Sequence, residues 1–285
     1  MAFGRPARRS SQNRAFQGCG LRLHCSAKTP FLRSNALRAP LQSLPRSGSQ
    51  ALPQYFPGKS RPVRLAPLGV PPANPKRNIM NKNLLVYIHG KGGNAAEADR
   101  YKPLFKNYDV TGFDYKSEVP WDFQKEFLAW AESIFPEYKN VTLVANSIGA
   151  YFAMNALSGK NSQNFAKKIS EAFFISPVVN MEKLIQDMMR WANVTESQPS
   201  EKKTIATSFG EKLSWEYLSY VRQNPLNWHF PTKILYGEHD NLTSLETIKN
   251  FAQAHNANLT IMENGEHWFH TPPQIAFLDN WIKSK

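Results

Sequence analysis

Largely apolar segments, separated by amphipathic stretches, recur along residues 81–285. Six such segments predict strands at residues 84–88, 109–115, 141–144, 172–176, 233–236 and 259–262, and the first of them is a continuous apolar run. Unbroken apolar runs of this length are typical of parallel strands that are buried on both faces. Apolar stretches between them predict helices at residues 121–135, 150–157, 245–251 and 272–282. This alternation predicts the α/β fold class, with a mostly parallel sheet of about six strands and helices on both faces.

Local signals indicate where two of these helices begin. The run Thr243-Ser244-Leu245-Glu246 predicts a capping box at the start of the helix that follows it. Thr271-Pro272 predicts the start of the last helix, because proline is well tolerated in the first helical turn.

The alternation stops between Pro177 and Pro231, where no strand is predicted. Apolar, Met-rich and aromatic stretches predict helices near residues 181–191 and 213–220, separated by a charged loop at 196–203. A long insertion is usually a lid or binding element, and Met-rich surfaces adapt to apolar ligands. We therefore expect residues 178–230 to form a helical cap over an apolar pocket, although any one of these residues also suits ordinary helix packing. The side chains expected to face substrate are Met188, Trp191, Trp215 and, outside the insertion, Trp268.

Composition separates the first 80 residues from the rest of the chain. Residues 1–80 hold 14 of the 35 basic residues, 11 of the 20 prolines and none of the acidic residues. Residues 81–285 therefore carry 21 basic and 22 acidic side chains, so the net charge of +13 belongs to the first segment. A segment so rich in Pro, Arg and Ser, without apolar periodicity, is expected to be disordered. The nearly neutral remainder argues against a nucleic-acid-binding enzyme.

Three interpretations of residues 1–80 remain open. The segment is rich in Arg and Ser and free of acidic residues, as organelle transit peptides are. It also suits a basic arm that touches nucleic acid or anionic membrane. Alternatively, it is an extension foreign to the native protein, since Met80-Asn81-Lys82-Asn83 leads directly into the first strand. We expect a cytoplasmic protein, or an organelle protein if the segment is a transit peptide.

Cysteine usage and hydropathy exclude several classes. Cys19 and Cys25 are the two cysteines of the chain, so residues 81–285 offer no disulfide, cysteine nucleophile or zinc cluster. No run of 18 apolar residues occurs, so no membrane span is predicted.

The most informative short motif is Ala145-Asn146-Ser147-Ile148-Gly149, which follows an apolar strand and precedes an apolar helix. A serine on a sharp turn between strand and helix is held out above the sheet, and small residues flank it because strand and helix pack closely there. The pentapeptide alone is common by chance. Its interpretation depends on partners elsewhere in the chain.

Those partners occur at the ends of other predicted strands. Asp240 follows the fifth strand and His267 follows the sixth, so the chain order is Ser, Asp, His. In an open parallel sheet, functional side chains gather at the carboxyl ends of the strands. The loop His89-Gly90-Lys91-Gly92-Gly93 ends the first strand, where backbone N–H groups could bind an oxyanion. These four pieces together predict Ser147 as nucleophile, His267 as general base and Asp240 as the orienting acid.

Other residues compete for these roles. His270 is a second possible base, and Glu238 and Asp114 are possible acids. His89 suits a structural hydrogen bond beside the oxyanion loop better than catalysis. The histidines near residues 239 and 267–270 match no metal-binding motif, and the Gly-rich loop lacks the P-loop pattern, so no metal and no cofactor are predicted.

With these motifs, residues 81–285 resemble a compact α/β-hydrolase of the small serine-hydrolase type, which includes esterases, lipases and serine-aminopeptidase-like enzymes. The two opening antiparallel strands of larger members are missing, and Ala145 stands where Gly is common. The resemblance implies that the N–H groups of Lys91 and Ile148 form the oxyanion hole. Asn146 gives no clue to the substrate.

The sequence therefore predicts a serine hydrolase that cleaves a small ester with an apolar acyl group through an acyl-enzyme intermediate. Thioesterase, amidase and aminopeptidase activities are the enzymatic alternatives. A non-catalytic binding or interaction module on the same fold is the alternative of another class. A small-molecule ester is the expected partner, nucleic acid is not, and the sequence does not indicate an oligomeric state.

Overall fold

The computed structural model describes residues 82–284. The predictions for residues 1–80, including those that concern Cys19 and Cys25, lie outside this range.

Eight strands and eight α-helices follow one another in the described residues. The strands are β1 (Asn83–Ile88), β2 (Tyr108–Gly112), β3 (Asn140–Asn146), β4 (Ile169–Ile175), β5 (Thr204–Ala206), β6 (Lys212–Ser214), β7 (Thr232–Gly237) and β8 (Asn258–Met262). The helices are α1 (Pro120–Ile134), α2 (Ile148–Ser158), α3 (Gln163–Ala166), α4 (Met181–Trp191), α5 (Ser197–Lys202), α6 (Trp215–Gln223), α7 (Leu245–Ala254) and α8 (Pro272–Lys283). Short 3₁₀ turns, the longest at Ala95–Tyr101, complete the order.

Six of the strands form one parallel sheet in the order β2-β1-β3-β4-β7-β8. The predicted α/β class and six-strand sheet are thus confirmed. Two clusters of buried hydrophobic side chains lie on opposite faces of this sheet. Leu84 and Val86 of β1 belong to one cluster, and Leu85 and Tyr87 belong to the other. Because successive residues of β1 are buried on opposite faces, its apolar run is unbroken. Helices α1 and α2 pack against the first face, and α8 packs against the second. Both faces of the central strands are therefore buried, and all carboxyl ends lie at one edge.

The segment between β4 and β7, called the insertion below, contains α4, α5, the hairpin β5–β6 and α6. The two long helices were predicted. The prediction that this segment holds no strand was wrong, because β5 and β6 pair antiparallel. The predicted charged loop also contains the short helix α5. Strands of three residues are too short to show alternation, and this hairpin depends on its turn, where Thr207 N–H donates to the Glu211 carbonyl at 2.8 Å and Gly210 has φ +88°.

The start of α7 differs from the prediction by one residue. Ser244, not Thr243, is the N-cap, and its hydroxyl accepts from the N–H of Thr247. Thr243 instead points inward, and its carbonyl accepts from the Tyr236 hydroxyl at 2.8 Å. Because Thr243 is buried at this contact, the hydroxyl of Ser244 caps the helix instead.

Candidate active site

Ser147 lies on the turn between β3 and α2 in a strained backbone conformation. Its φ of 52° and ψ of −121° lie outside the regions that non-glycine residues favour. Three backbone hydrogen bonds hold it there: its N–H donates to the Ile175 carbonyl at 3.0 Å, and its carbonyl accepts from Ala150 at 3.2 Å and Val178 at 3.0 Å. Strain maintained in this way indicates a position whose side-chain direction matters.

Small residues let the strand, the helix and the loop after β1 approach one another around this turn. A Cβ added to Gly149 would lie 2.3 Å from the His89 carbonyl oxygen, a distance that no real side chain shows. A Cβ added to Gly90 would lie 3.2 Å from the Cβ of Ser147. Ala145 is fully buried. The loop after β1 is therefore in direct contact with the serine.

The structure brings Ser147, His267 and Asp240 into one hydrogen-bonded line. Ser147 Oγ lies 2.9 Å from His267 Nε2, and His267 Nδ1 lies 2.7 Å from Asp240 Oδ2. The Asp240 side chain is fully buried, whereas the imidazole is 22% exposed. The other carboxylate oxygen, Oδ1, accepts from the N–H groups of Leu242 at 2.8 Å and Thr243 at 3.1 Å. A carboxylate that accepts from Nδ1–H leaves Nε2 free to accept the serine proton.

Close backbone contacts join the two loops that carry the carboxylate and the imidazole. The N–H of His239 donates to the Gly265 carbonyl at 2.7 Å. A Cβ on Gly237, the last residue of β7, would lie 2.5 Å from the Glu266 carbonyl oxygen. These contacts leave room for glycine alone, and they fix the separation of the two side chains.

The two residues predicted to form the oxyanion hole are neighbours of the serine turn. Ile148 is the first residue of α2, so its N–H has no partner within the helix. Lys91 follows Gly90, which packs against Ser147. The Lys91 ammonium forms an ion pair with Glu211 in the turn of the β5–β6 hairpin. The loop after β1 is thereby connected to the insertion.

His89 supports this loop through its ring and its carbonyl. The ring stacks on Tyr115 with centroids 4.1 Å apart, and Nδ1 lies 2.8 Å from the Gly90 carbonyl oxygen. The Tyr115 hydroxyl donates to the His89 carbonyl at 2.7 Å. These contacts match the structural role expected for His89.

A second support of the loop, which the sequence interpretation missed, starts from β1. The Tyr87 hydroxyl donates to Glu97 Oε2 at 2.6 Å, and Glu97 Oε1 accepts from the N–H of Asn94 at 3.0 Å. Asn94 and Glu97 form a capping box on the 3₁₀ turn. The Asn-x-x-Glu spacing is a signal that could have revealed it.

The competing residues have other partners. His270 Nδ1 lies 2.6 Å from the Trp268 carbonyl oxygen, and Glu238 accepts from the N–H of Asn264 at 2.9 Å. Asp114 is exposed, and its hydrogen bond with Lys116 lowers the pKa of its carboxyl group. The structure places none of these three competitors in the hydrogen-bonded line through Ser147.

The four predicted substrate-facing residues fall into two groups. Met188 and Trp215 are half-buried and pack against the main core. Trp191 is 52% exposed and meets Phe209 edge to face, and Trp268 is 69% exposed and stacks on His270. Their role in substrate binding stays a prediction.

Across residues 82–284, no group of three or more His, Cys, Asp or Glu side chains is arranged to hold a metal ion. No helix in that range has the length and hydropathy needed to cross a bilayer.

Comparison with known proteins supports the architecture. No family model matches the chain. A Mycoplasma genitalium protein described as "Putative esterase/lipase 3" is 23% identical over 129 residues, which span 44% of this chain and 42% of that protein. The chain therefore matches less than half the length of this relative.

Among solved structures, Est1E from Butyrivibrio proteoclasticus aligns with a TM-score of 0.58 at 15% identity, over 73% of this chain and 88% of that chain. An esterase of Pyrococcus furiosus aligns with a TM-score of 0.45 at 19% identity, over 72% and 80% of the two chains. At 15% identity the likeness to Est1E concerns the fold alone, and the chain has the α/β-hydrolase fold.

Proposed function

We propose that this chain is a serine hydrolase that cleaves a small carboxylic ester through an acyl-enzyme intermediate. The observation that carries the proposal is the line Ser147 Oγ, His267 Nε2, His267 Nδ1 and Asp240 Oδ2, with separations of 2.9 and 2.7 Å at its two hydrogen bonds. A hydroxyl, an imidazole and a buried carboxylate in this order supply the nucleophile, the base and the group that orients the base. The name of the Mycoplasma relative supports an ester as the substrate class.

Acylation begins when His267 Nε2 takes the proton of Ser147 Oγ while that oxygen attacks the ester carbonyl carbon. The negative charge that develops on the carbonyl oxygen faces the N–H groups of Ile148 and Lys91. The tetrahedral intermediate collapses when the carbon–oxygen bond to the alcohol breaks and the imidazolium gives its proton to the leaving oxygen. The alcohol departs, and the acyl group remains bound to Ser147.

Deacylation repeats these steps with water. His267 Nε2 takes a proton from water, and the water oxygen attacks the acyl carbon. The bond to Ser147 Oγ then breaks, and the imidazolium returns the proton to that oxygen. The products are the carboxylic acid and the restored enzyme.

Asp240 acts on His267 in both halves of the cycle. Its side chain is fully buried, and two backbone N–H groups fix its second oxygen, so the carboxylate cannot rotate away from Nδ1. It therefore holds the imidazole in the tautomer that accepts the serine proton, and it stabilises the imidazolium that forms.

The insertion is proposed as the cap that receives the acyl group. Its hairpin turn contacts the loop after β1 through Glu211 and Lys91, and Trp121 at the start of α1 packs on Tyr217 and Tyr220 of α6. These contacts, with the loop after β1 and with the start of α1, support the proposed position of the insertion near Ser147. Half-buried apolar side chains of the insertion support an acyl group with an apolar body.

A fluorophosphonate probe tests the nucleophile. The wild-type protein should take one label, and Ser147→Ala should take none. Ser176→Ala is the matched control, because Ser176 also follows a strand of the sheet with a positive φ of 42° but is fully buried. An unlabelled wild-type protein would refute the proposal and favour a binding module on the same fold.

Substrate panels then separate the bond types. Matched p-nitrophenyl esters, thioesters and p-nitroanilides of one acyl group should show the ester as the best substrate. Asp240→Asn should lower kcat on the ester by about 10⁴-fold, since the imidazole loses the tautomer it needs. Asp114→Asn should leave kcat unchanged, because Asp114 is exposed and pairs with Lys116.

A further inference from the structure

Two buried phenol groups beside the proposed active site have no hydrogen-bond partner among the described residues. They are the hydroxyls of Tyr151 and Tyr217. A buried tyrosine hydroxyl usually finds a partner. Leaving one unpaired costs about 1–3 kcal/mol, so two unpaired hydroxyls in one place require an explanation.

Both hydroxyls belong to one group of tyrosines. Burial raises the pKa of Tyr217 well above its ordinary value, and the neighbouring phenols of Tyr151, Tyr220 and Tyr115 raise it further. Tyr217 also meets Trp121 edge to face, with centroids 5.8 Å apart. The group therefore includes residues of α6 and α2 and of the segment after β2, and two of its members contact Trp121 at the start of α1.

This group of tyrosines is close to the nucleophile. Tyr151 is one helical turn after Ser147 on α2. Tyr115 stacks on His89, whose neighbour Gly90 packs against Ser147. One tyrosine of the group, Tyr115, thus contacts the loop after β1, and two others, Tyr217 and Tyr220, belong to α6 of the insertion.

The other two phenols of the group already have partners. The Tyr115 hydroxyl donates to the His89 carbonyl at 2.7 Å, and the Tyr220 hydroxyl donates to Asn155 Oδ1 at 3.1 Å. The hydroxyls of Tyr115 and Tyr220 are therefore satisfied by hydrogen bonds within the fold. Those of Tyr151 and Tyr217 remain able to donate a hydrogen bond to a ligand.

A cavity of about 230 Å³ adjoins Tyr151. Val179, Met181, Val221, Pro225 and Leu226 contribute apolar walls, and Asn180, Glu182, Arg222 and Asn224 also line it. Val179 directly follows Val178, whose N–H donates to the Ser147 carbonyl. The surroundings of Tyr151 therefore combine apolar walls with polar and charged side chains.

We propose that Tyr151 and Tyr217 form a hydrogen-bonding subsite for an oxygen atom on the acyl group of the ester, separate from the scissile bond. The preferred acyl group then has an apolar body and carries an ether, hydroxyl or keto oxygen, which accepts from the two phenols. This inference rests on the serine hydrolase function proposed above and specifies its substrate class.

The sheet order indicates that this subsite binds the acyl side of the ester rather than the alcohol side. The leaving oxygen must face His267 Nε2, and His267 follows β8 at one edge of the sheet. Tyr115 follows β2 at the opposite edge, and Tyr217 contacts Trp121 at the start of α1, the helix that comes after β2. A substrate carbonyl held at Ser147 therefore directs its acyl group toward the tyrosines.

The test compares esters of equal length that differ by one atom. p-Nitrophenyl 3-methoxypropanoate and p-nitrophenyl ethoxyacetate each replace one methylene of p-nitrophenyl pentanoate with oxygen. The wild-type kcat/KM should favour at least one ether ester over the pentanoate by about tenfold, the worth of one hydrogen bond. Equal values for all three esters would overturn the inference without any variant.

Three single-atom variants locate the effect. Tyr151→Phe and Tyr217→Phe should each bring the ratio of kcat/KM for the preferred ether ester to kcat/KM for the pentanoate down to about one. Tyr220→Phe is the matched control and should keep the preference, because its hydroxyl already has a partner. A preference that survives in both test variants, or that is lost equally in the control, would overturn the inference.

Failure of the subsite and failure of the enzymatic function give different results. Fluorophosphonate labelling of Ser147 and hydrolysis of the pentanoate ester report on the function, and neither requires the phenols. If Ser147 takes the fluorophosphonate label but the three esters have equal kcat/KM values, the subsite is overturned and the proposed function is not. Absence of both labelling and hydrolysis overturns the proposed function, and the subsite with it.

Discussion

Gly149→Ala tests whether close backbone packing holds Ser147, the proposed nucleophile, in place. The added Cβ would lie 2.3 Å from the carbonyl oxygen of His89 and 2.7 Å from that of Ile88. Both atoms belong to the backbone, so no side-chain rotation relieves the contact. Reaching even 3.0 Å requires β1 and the start of α2 to separate by 0.7 Å, the difference between 3.0 and 2.3 Å.

A separation of this size occurs two residues from Ser147 and displaces its hydroxyl from His267. A misplacement near 1 Å costs about 10²-fold in rate, so kcat/KM for a p-nitrophenyl ester should fall by about that factor. Overpacking of this kind also lowers the free energy of unfolding by about 1–3 kcal/mol, which urea titration measures. Fluorophosphonate labelling of the folded variant should slow in parallel with hydrolysis.

Gly159→Ala is the control at the other end of the same helix. Its added Cβ would meet Gln124 Nε2 at 2.9 Å, and that atom is the tip of a flexible side chain that can move. Activity and stability should stay near the wild-type values. If Gly149→Ala also kept kcat/KM within twofold and the same urea midpoint, close packing would not be what positions the serine.

Three further predictions concern groups outside the reacting atoms. Burial raises the pKa of Tyr236 to about 12, so the folded protein keeps a proton that the unfolded chain loses near pH 10. The free energy of unfolding should therefore fall as pH rises from 10 to 12, and Tyr236→Phe should show a shallower fall in urea titrations at pH 8, 10 and 11. Glu211→Gln breaks an exposed ion pair with Lys91, and exposed pairs are worth at most about 1 kcal/mol. Its kcat/KM should change less than threefold, and a tenfold loss would show that the insertion controls the loop. Thr271→Ala removes the capping box of α8 and should lower the free energy of unfolding by about 1 kcal/mol, whereas an unchanged urea midpoint would contradict a stabilising cap.

The sequence predicted the central sheet well because its strands are buried on both faces. Leu84 and Leu85 face opposite cores, so the run in β1 had to be apolar throughout, and such runs are visible without an alignment. The α8 start was also visible, because Thr271 and Pro272 are local signals of a helix N-terminus.

The position of the candidate site followed from topology. Ser147, Asp240 and His267 each follow a different parallel strand, and parallel strands bring their carboxyl ends to one edge. Strand order in the chain was therefore enough to predict that these side chains meet.

Long-range contacts account for what the sequence did not reveal. The β5–β6 hairpin depends on a turn at Thr207 and Gly210, and its strands are too short to show a period. The cap of α7 depends on burial of Thr243 under a contact from Tyr236. No pattern indicates which tyrosine hydroxyl lacks a partner, because Tyr151 and Tyr220 differ only in what surrounds them once the chain is folded.

The insertion leaves the sheet at the end of β4 and returns at the start of β7, and these two strands are adjacent. The strands at its two ends therefore pair directly with each other, from Ala172↔Thr232 to Ile175↔Leu235, and this pairing does not involve the insertion. Exchange of the part of this segment after Val178 would leave the pairing of β4 with β7 intact, together with the hydrogen bond from Val178 to the Ser147 carbonyl. Under the proposed function, acyl selectivity and hydrolytic chemistry would therefore be encoded in largely separate stretches of the chain, so that evolution or an engineer could vary the first without rebuilding the second.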